Sequence, residues 1–445
     1  MEIIQTWKRI WIERHNKLWV LPALHSLIAV LLALAAAWIP PLLPADIQFP
    51  SIEAKTLDNL LAVISSSILA VATFSLSIMV AAFASASSGV TPRVTELVMG
   101  DEGTQSAISN FLSAFIFSIV AQVALGVKYY GDAGRFILFV ATLAVLAWLM
   151  FTLLRWVRTL SLLGRLNNTL DLVQSAALEC MSDYWRQPLM GAQKGPEDIF
   201  DLLNNPQTIL VKSNDVQVVR RIDMGDLQAL AKTNQCFIHV RLRAGQLVSV
   251  GDVMAIVIPD DCDKNNPAPL NAAKALDNKK LADKIQKCFQ LDQDRTFDQD
   301  PRFSLIVLRE AAQRALSSAI NDPGTAISCM NAMTRILLKS QVLATKPLPG
   351  EISAKHYNRL SAIELKVDDF IADGFDPIAR DGAATFEIMV RIQKALATIM
   401  QDSADPALAT AAREHAVFAY DCAMQSLHFA ADKATVKTLH HQLFD

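Results

Sequence analysis

Hydroxyl-bearing and small side chains recur along one hydrophobic stretch, and they are the first candidates for chemistry in this sequence. Ser66, Ala70, Thr73, Ser77, Ala81, Ala84 and Ser88 follow one another at steps of four, three, four, four, three and four. That spacing places them on one continuous face of a helix. Ile64, Ile68, Val71, Phe74, Ile78 and Phe83 fall on the opposite and flanking sides, while Ser65, Ser67 and Ser75 lie off the stripe. Two kinds of chemistry suit such a face. Small residues let helix backbones approach closely, with hydroxyls bonding across the contact. Alternatively, several copies of the helix line a hydrated path, and a neutral hydroxyl wall passes ions or small solutes without a charged ring. Spacing alone leaves both open.

Two other groups are candidates. Asn110, Ser118 and Gln122 are polar positions in a second apolar stretch, with Ser113 between them. An unpaired amide in lipid costs several kcal/mol, so these side chains are expected to face a neighbouring helix or a cavity. Asn321, Asp322 and Pro323 lie within SSAINDPGT. Asp followed by Pro marks a helix start, with Asp322 as the N-cap and Pro323 at the first helical position. A chemical role for Asn321 and Asp322 is the alternative.

The sequence has no Walker loop, GxGxxG, HExxH or GxSxG motif, and no metal-spaced histidine cluster. The adjacent His440 and His441 lie near a chain end expected to fray. Six cysteines, Cys180, Cys236, Cys262, Cys288, Cys329 and Cys422, form no CxxC pair and are read as reduced thiols. No enzyme, cofactor or metal is therefore expected.

The elements that must position these residues follow from hydropathy. Four stretches, at about 18–39, 60–86, 107–127 and 136–154, are long enough for a bilayer core of roughly 30 Å. None contains Asp, Glu, Lys or Arg, and His25 is their one ionisable side chain. That disfavours a proton-driven transporter, which needs intramembrane relays. Lys8, Arg9, Arg14 and Lys17 precede the first stretch, and Arg155, Arg158 and Arg165 follow the fourth. The positive-inside rule then puts both termini in the cytoplasm. Residues up to Leu166 hold 11 Lys+Arg against 9 Asp+Glu, and the remainder 30 against 35. A mildly acidic soluble part with no basic stripe argues against nucleic acid as a partner.

The expected fold is a polytopic α-helical membrane protein with a cytosolic α+β region. Residues 1–165 form the membrane domain, and 166–207 a helical stalk and linker. A small β-rich module at 208–262 and a helical domain at 268–445 follow. The stalk is signalled by Leu166, Leu170, Val173, Ala177 and Cys180 at helical spacing. Further helices are expected over 300–338 (as two), 354–373, 381–400 and 405–431. Thr91 and Pro92 open a short helix between the second and third spans. The stretch VRLRAGQLVSVGDVMAIV resembles half of a biotinyl/lipoyl-type barrel-sandwich domain. The nearest lysine, Lys264 in DDCDKNNP, is not placed for a hairpin tip, so no swinging cofactor is expected.

Three stretches together resemble a known family. They are ATFSLSIMVAAFASASSGVTPRV leading into GDEGTQSAISNFLSAFIFS, RIDMGDLQALA with VRLRAGQLVSVGD, and DQDPRFSLIVLREAAQRALSSAINDPGTAISCMN followed by FDPIARDGA. In this order they resemble the bacterial membrane proteins of domain-of-unknown-function family number 2254. The third motif has Ser317–Ser318 where such proteins typically read Ser-Pro. The resemblance implies an inner-membrane protein and supplies no catalytic residues. The residues themselves point to an oligomeric, channel-like protein in the lipid bilayer, a homo-oligomer passing ions or small solutes, with a cytosolic assembly or gating domain. The alternative is a non-conducting sensor or scaffold that binds a cytosolic ligand or partner.

Overall fold

A computed structural model describes residues 17–40, 49–89, 91–94, 97, 102–162, 166–196, 200–205, 207–260, 272–346 and 356–445. The chain divides into two compact units, Met1–Thr169 and Leu170–Asp445.

In the first unit, α1 (Lys17–Ala35), α2 (Ala54–Gly89), α3 (Glu102–Gly126) and α4 (Asp132–Leu162) are all apolar helices. Three of them are long and apolar enough to cross a membrane, over Ala54–Ala84, Gln105–Gly126 and Asp132–Leu160. The apolar part of α1, Val20–Ala35, is shorter. At 1.5 Å per residue it spans about 24 Å, less than a bilayer core of about 30 Å. The first expected span, 18–39, is thus helical only to Ala35, with turns beyond it.

The central helix is α3, which packs against α1, α2 and α4. Small residues make this possible: Ala29 and Ala33 of α1 meet a cluster that includes Phe117, Ala121 and Ala124 of α3. A second cluster joins Ile64 of α2, Phe111 and Ala114 of α3, and Leu149 and Trp156 of α4. One end of the bundle is tied by aromatics. The α3 C-terminus closes with Tyr129 N donating to Ala124 O and Lys128 N to Leu125 O, and Lys128 is left-handed at φ 59. That is a Schellman stop carried by a non-glycine residue. Trp38 Nε1 then donates to Tyr129 Oη at 2.6 Å, and Tyr130 Oη to Ala33 O at 2.9 Å. Between α2 and α3, Pro92–Val94 forms a 3₁₀ turn at the start of the expected short helix, and Leu97 beyond it is helical. Most of the rest of that loop lies outside the described residues.

The second unit begins within α5 (Leu166–Arg186). Leu170, Val173, Ala177 and Cys180, the face read as a stalk, are buried rather than free. Tyr184 and Trp185 at its end pack edge-on to Phe370. There follow β1 (Ala192–Lys194), α6 (Phe200–Asn204), β2 (Ile209–Lys212), β3 (Gln217–Ile222) and α7 (Met224–Thr233). Next come β4 (Cys236–Val240), β5 (Leu247–Val248), β6 (Val253–Pro259), α8 (Ala272–Gln286) and β7 (Phe289–Asp292). The last stretch holds α9 (Pro301–Leu316), α10 (Pro323–Ala344), β8 (Tyr357–Ala362), α11 (Asp368–Asp381), α12 (Phe386–Asp402), α13 (Pro406–Ser426) and α14 (Ala430–Phe444).

One sheet runs β1-β8-β4-β6-β2 and a smaller one β5-β3-β7. The larger sheet is mixed: β8 is parallel to both β1 and β4, while β6 is antiparallel to β4 and β2. The β-module therefore recruits β1, β7 and β8 from outside 208–262. Of residues 354–373, expected as one helix, the described part from 356 onward divides into β8 and the start of α11. The reason is pairing, because Leu360 and Ala362 are buried beside Ile238 and Val240 of β4. Residues 261–271, with Lys264, lie outside the described residues.

Candidate functional site

The stripe on α2 faces away from its own bundle. Ser66, Ala70, Thr73, Ser77, Ala81 and Ala84 are all exposed, whereas Ile64 is buried and Ile68 and Val71 pack against the core. The side chain of Ser88 lies outside the described residues. Packing within the first unit thus does not account for the stripe. It is flanked by exposed large residues, Leu69, Leu76 and Val80 on one side and Val63 and Phe74 on the other. At about 100° per residue, the small residues form a shallow groove covering roughly 80° of the helix.

Each hydroxyl in the groove donates back to its own helix. Ser66 Oγ donates to Ala62 O at 2.8 Å, Thr73 Oγ1 to Leu69 O at 2.8 Å and Ser77 Oγ to Thr73 O at 3.0 Å. With their protons engaged, these oxygens present lone pairs outward. The groove is therefore a row of acceptors between apolar walls.

Off-stripe Ser75 is the hydroxyl that ties the bundle together. It is buried and accepts a 2.8 Å bond from Trp156 Nε1 of α4. The α3 residues behave as packing groups. Asn110 Nδ2 reaches Thr152 Oγ1 of α4 at 3.5 Å, and Gln122 Nε2 reaches the Asp58 carbonyl of α2 at 3.5 Å. Ser118 is fully buried and donates to Ala114 O at 2.9 Å. Asn110 and Gln122 bond to neighbouring helices and Ser118 to its own, and none of the three joins the α2 groove.

In the second unit, Asp322 occupies the N-cap of α10. Its carboxylate accepts from Thr325 N at 3.0 Å and Thr325 Oγ1 at 2.6 Å, and Pro323 opens the helix. Those bonds hold the Asp322 carboxyl below the usual carboxylate range. Asn321 is left-handed at φ 50 and exposed, as the turn from α9 requires. Among the described residues, no group of His, Cys, Asp and Glu is arranged to hold a metal ion. Burial pushes the Cys236 thiol up to about 11 and the Cys329 thiol to about 12, so neither is a ready thiolate nucleophile.

Of this unit's polar hubs, Asp300 carries the same Asp-Pro start signal as Asp322, while Arg243 and His440 have no local signal. Arg243 is buried, and its Nη1 donates to Pro188 O at 2.8 Å and Ile363 O at 3.2 Å. Asp300 is buried as the N-cap of α9 and paired with Arg295 at 2.7 Å. His440, far from fraying, is buried in α14, stacked on Tyr420 and bonded to Gln393 Oε1 at 2.9 Å.

Comparison with known proteins adds family and little else. An uncharacterized protein of Mycobacterium bovis and two of Mycobacterium tuberculosis strains are each 27% identical over 146 residues, or 32% of this chain. The match spans 27% of the length of those relatives. No solved structure matches the chain. A family model described as "Predicted membrane protein (DUF2254)" matches residues 15–398. With most of its length matched, the chain belongs to the DUF2254 family of predicted membrane proteins.

Proposed function

We propose that this protein is an oligomeric, channel-like protein of the bacterial inner membrane, acting without an enzymatic step. All four apolar helices cross the bilayer, α1 with the apolar turns that follow Ala35 completing its span, both termini are cytoplasmic, and the second unit assembles the subunits and gates the path. Grooves on α2 from neighbouring copies line a narrow route for ions or small solutes. One observation carries this: the α2 stripe is turned out of its own protomer while its hydroxyl protons are engaged internally. With the protons satisfied on α2 itself, what the row still offers is acceptor lone pairs and close approach, which another helix or water uses and lipid does not. A wall of outward lone pairs favours cations over anions.

The test is flux in vesicles reconstituted with the full chain. Thr73→Phe fills the groove and is expected to abolish cation flux while the oligomer survives. Thr73→Val removes one oxygen and is expected to reduce it. Unchanged flux in both variants contradicts the α2-lined route, and no flux in the wild type contradicts conduction.

A second function is favoured by the same internal bonds, because hydroxyls engaged on their own helix leave α2 free for tight packing. The protein is then a non-conducting sensor or scaffold whose cytosolic unit binds a ligand or partner. An oligomer with abutting α2 helices and no flux would establish it.

A further inference from the structure

Helix α11 carries five carboxylates, and two cations from other helices hold four of them, Asp368, Asp369, Asp373 and Asp376. Arg302 of α9 pairs with Asp369 and Asp373, each at 2.6 Å. His415 of α13 takes the other two: Nδ1 lies 2.7 Å from Asp376 Oδ1, and Nε2 lies 3.0 Å from Asp368 Oδ1. An ionised carboxylate only accepts, so both ring nitrogens donate only when the imidazole is protonated. We propose that His415 makes the α11–α13 contact a pH-sensitive clamp, closed while the ring holds its second proton and loosened when that proton leaves.

The surroundings leave this proton to the two carboxylates. The hydrogen bond to Asp376 is the main force holding the His415 proton above the ordinary histidine range. Burial opposes it, and the charges of Asp376 and Asp368 add to it. Arg380 of α11 lies over the Phe418 ring. On α12, which also packs on α13, Arg391 is engaged by Asn331. On α14, His440 is stacked on Tyr420. The sign follows from linkage. A histidine whose value is raised by folding contributes fully below the ordinary value of about 6.5 and loses that contribution as pH rises through the raised value. Arg302 does not titrate in this range, so the α9 side of α11 stays fixed.

The test is hydrogen exchange with mass spectrometry on the full chain in nanodiscs, from about pH 6 to about pH 9, corrected for intrinsic rates. Loss of one charge-assisted bond is expected to lower protection of α11 and α13 peptides roughly ten-fold at high pH, with α9 and α10 peptides as the internal reference. His415→Gln is expected to be flat across the range. A flat wild type, or an undiminished drop in His415→Gln, overturns the clamp. Should His415→Gln fail to fold, Asp368→Asn at the half-exposed end serves. It is expected to move the drop to lower pH, and an unmoved drop overturns the clamp.

Discussion

Gly245 and Gly251 share a backbone conformation but not a neighbourhood, and that contrast makes a quantitative test of the second unit. Both are left-handed, at φ 89 and φ 91. Around Gly251 an added Cβ meets nothing within 4 Å. At Gly245 the same atom overlaps the Asp300 carboxylate, 2.7 Å from Cγ and 2.8 Å from Arg295 Nη2. Asp300 is 1% exposed, caps α9 and pairs with Arg295, so the intruding methyl has no solvent into which to push it. Backbone strain costs about 1 kcal/mol or somewhat more at either position. Dislodging one partner of a buried ion pair adds about 3–5 kcal/mol at Gly245 alone. For a unit of this size 1 kcal/mol is about 2–4 °C. Gly251→Ala is therefore expected to lower the melting point by roughly 2–4 °C, and Gly245→Ala by about 10 °C or more. The assay is thermal-scan proteolysis of the full chain in detergent, following the temperature at which the second unit becomes cleavable. Equal shifts for the two variants would refute the close approach of this turn to the Asp300–Arg295 pair.

Ser75→Ala leaves Trp156 Nε1 buried without an acceptor and is expected to destabilise the membrane bundle by about 1–3 kcal/mol, whereas Ser66→Ala on the exposed groove costs less than about 0.5 kcal/mol; detergent titration of unfolding separates them. Burial, with the neighbouring His441 charge, pushes His440 below the ordinary histidine value, so its neutral form is favoured by folding. Its contribution is complete above about pH 6.5 and is lost as pH falls through that range towards the lowered value. His440→Phe is therefore expected to flatten part of the acid limb of the stability profile. His239, lowered for the same reason, accounts for some of what remains, and an unchanged acid limb would show that His440 does not titrate on unfolding.

Three helices long and apolar enough to cross a membrane were legible because lipid demands long charge-free stretches, and the Ser66–Thr73–Ser77 face was legible because helical spacing is local. Its direction was not. Whether a small-residue face points inward or outward depends on what the other faces offer. Here Ile64, Phe111 and Trp156 take the interior. Ser75 looked like an irregularity in the stripe and proved to be the hydroxyl that bonds α4. Strand β8 was missed because YNRLSA has little strand pattern of its own and is held by parallel pairing to residues more than a hundred positions earlier. The His415 clamp joins residues 39 and 47 positions apart, a separation that no motif spans.

Cysteine cross-linking in native membranes would show most directly whether α2 grooves meet across copies. A Thr73→Cys variant places a thiol in the groove, and Leu154→Cys places one on the exposed outer face of α4 as a reference. If α2 lines or seals an interface between copies, Thr73→Cys forms a covalent dimer on mild oxidation and Leu154→Cys does not. Failure of Thr73→Cys to cross-link, or equal cross-linking at both positions, would place the groove against lipid and contradict an intersubunit path.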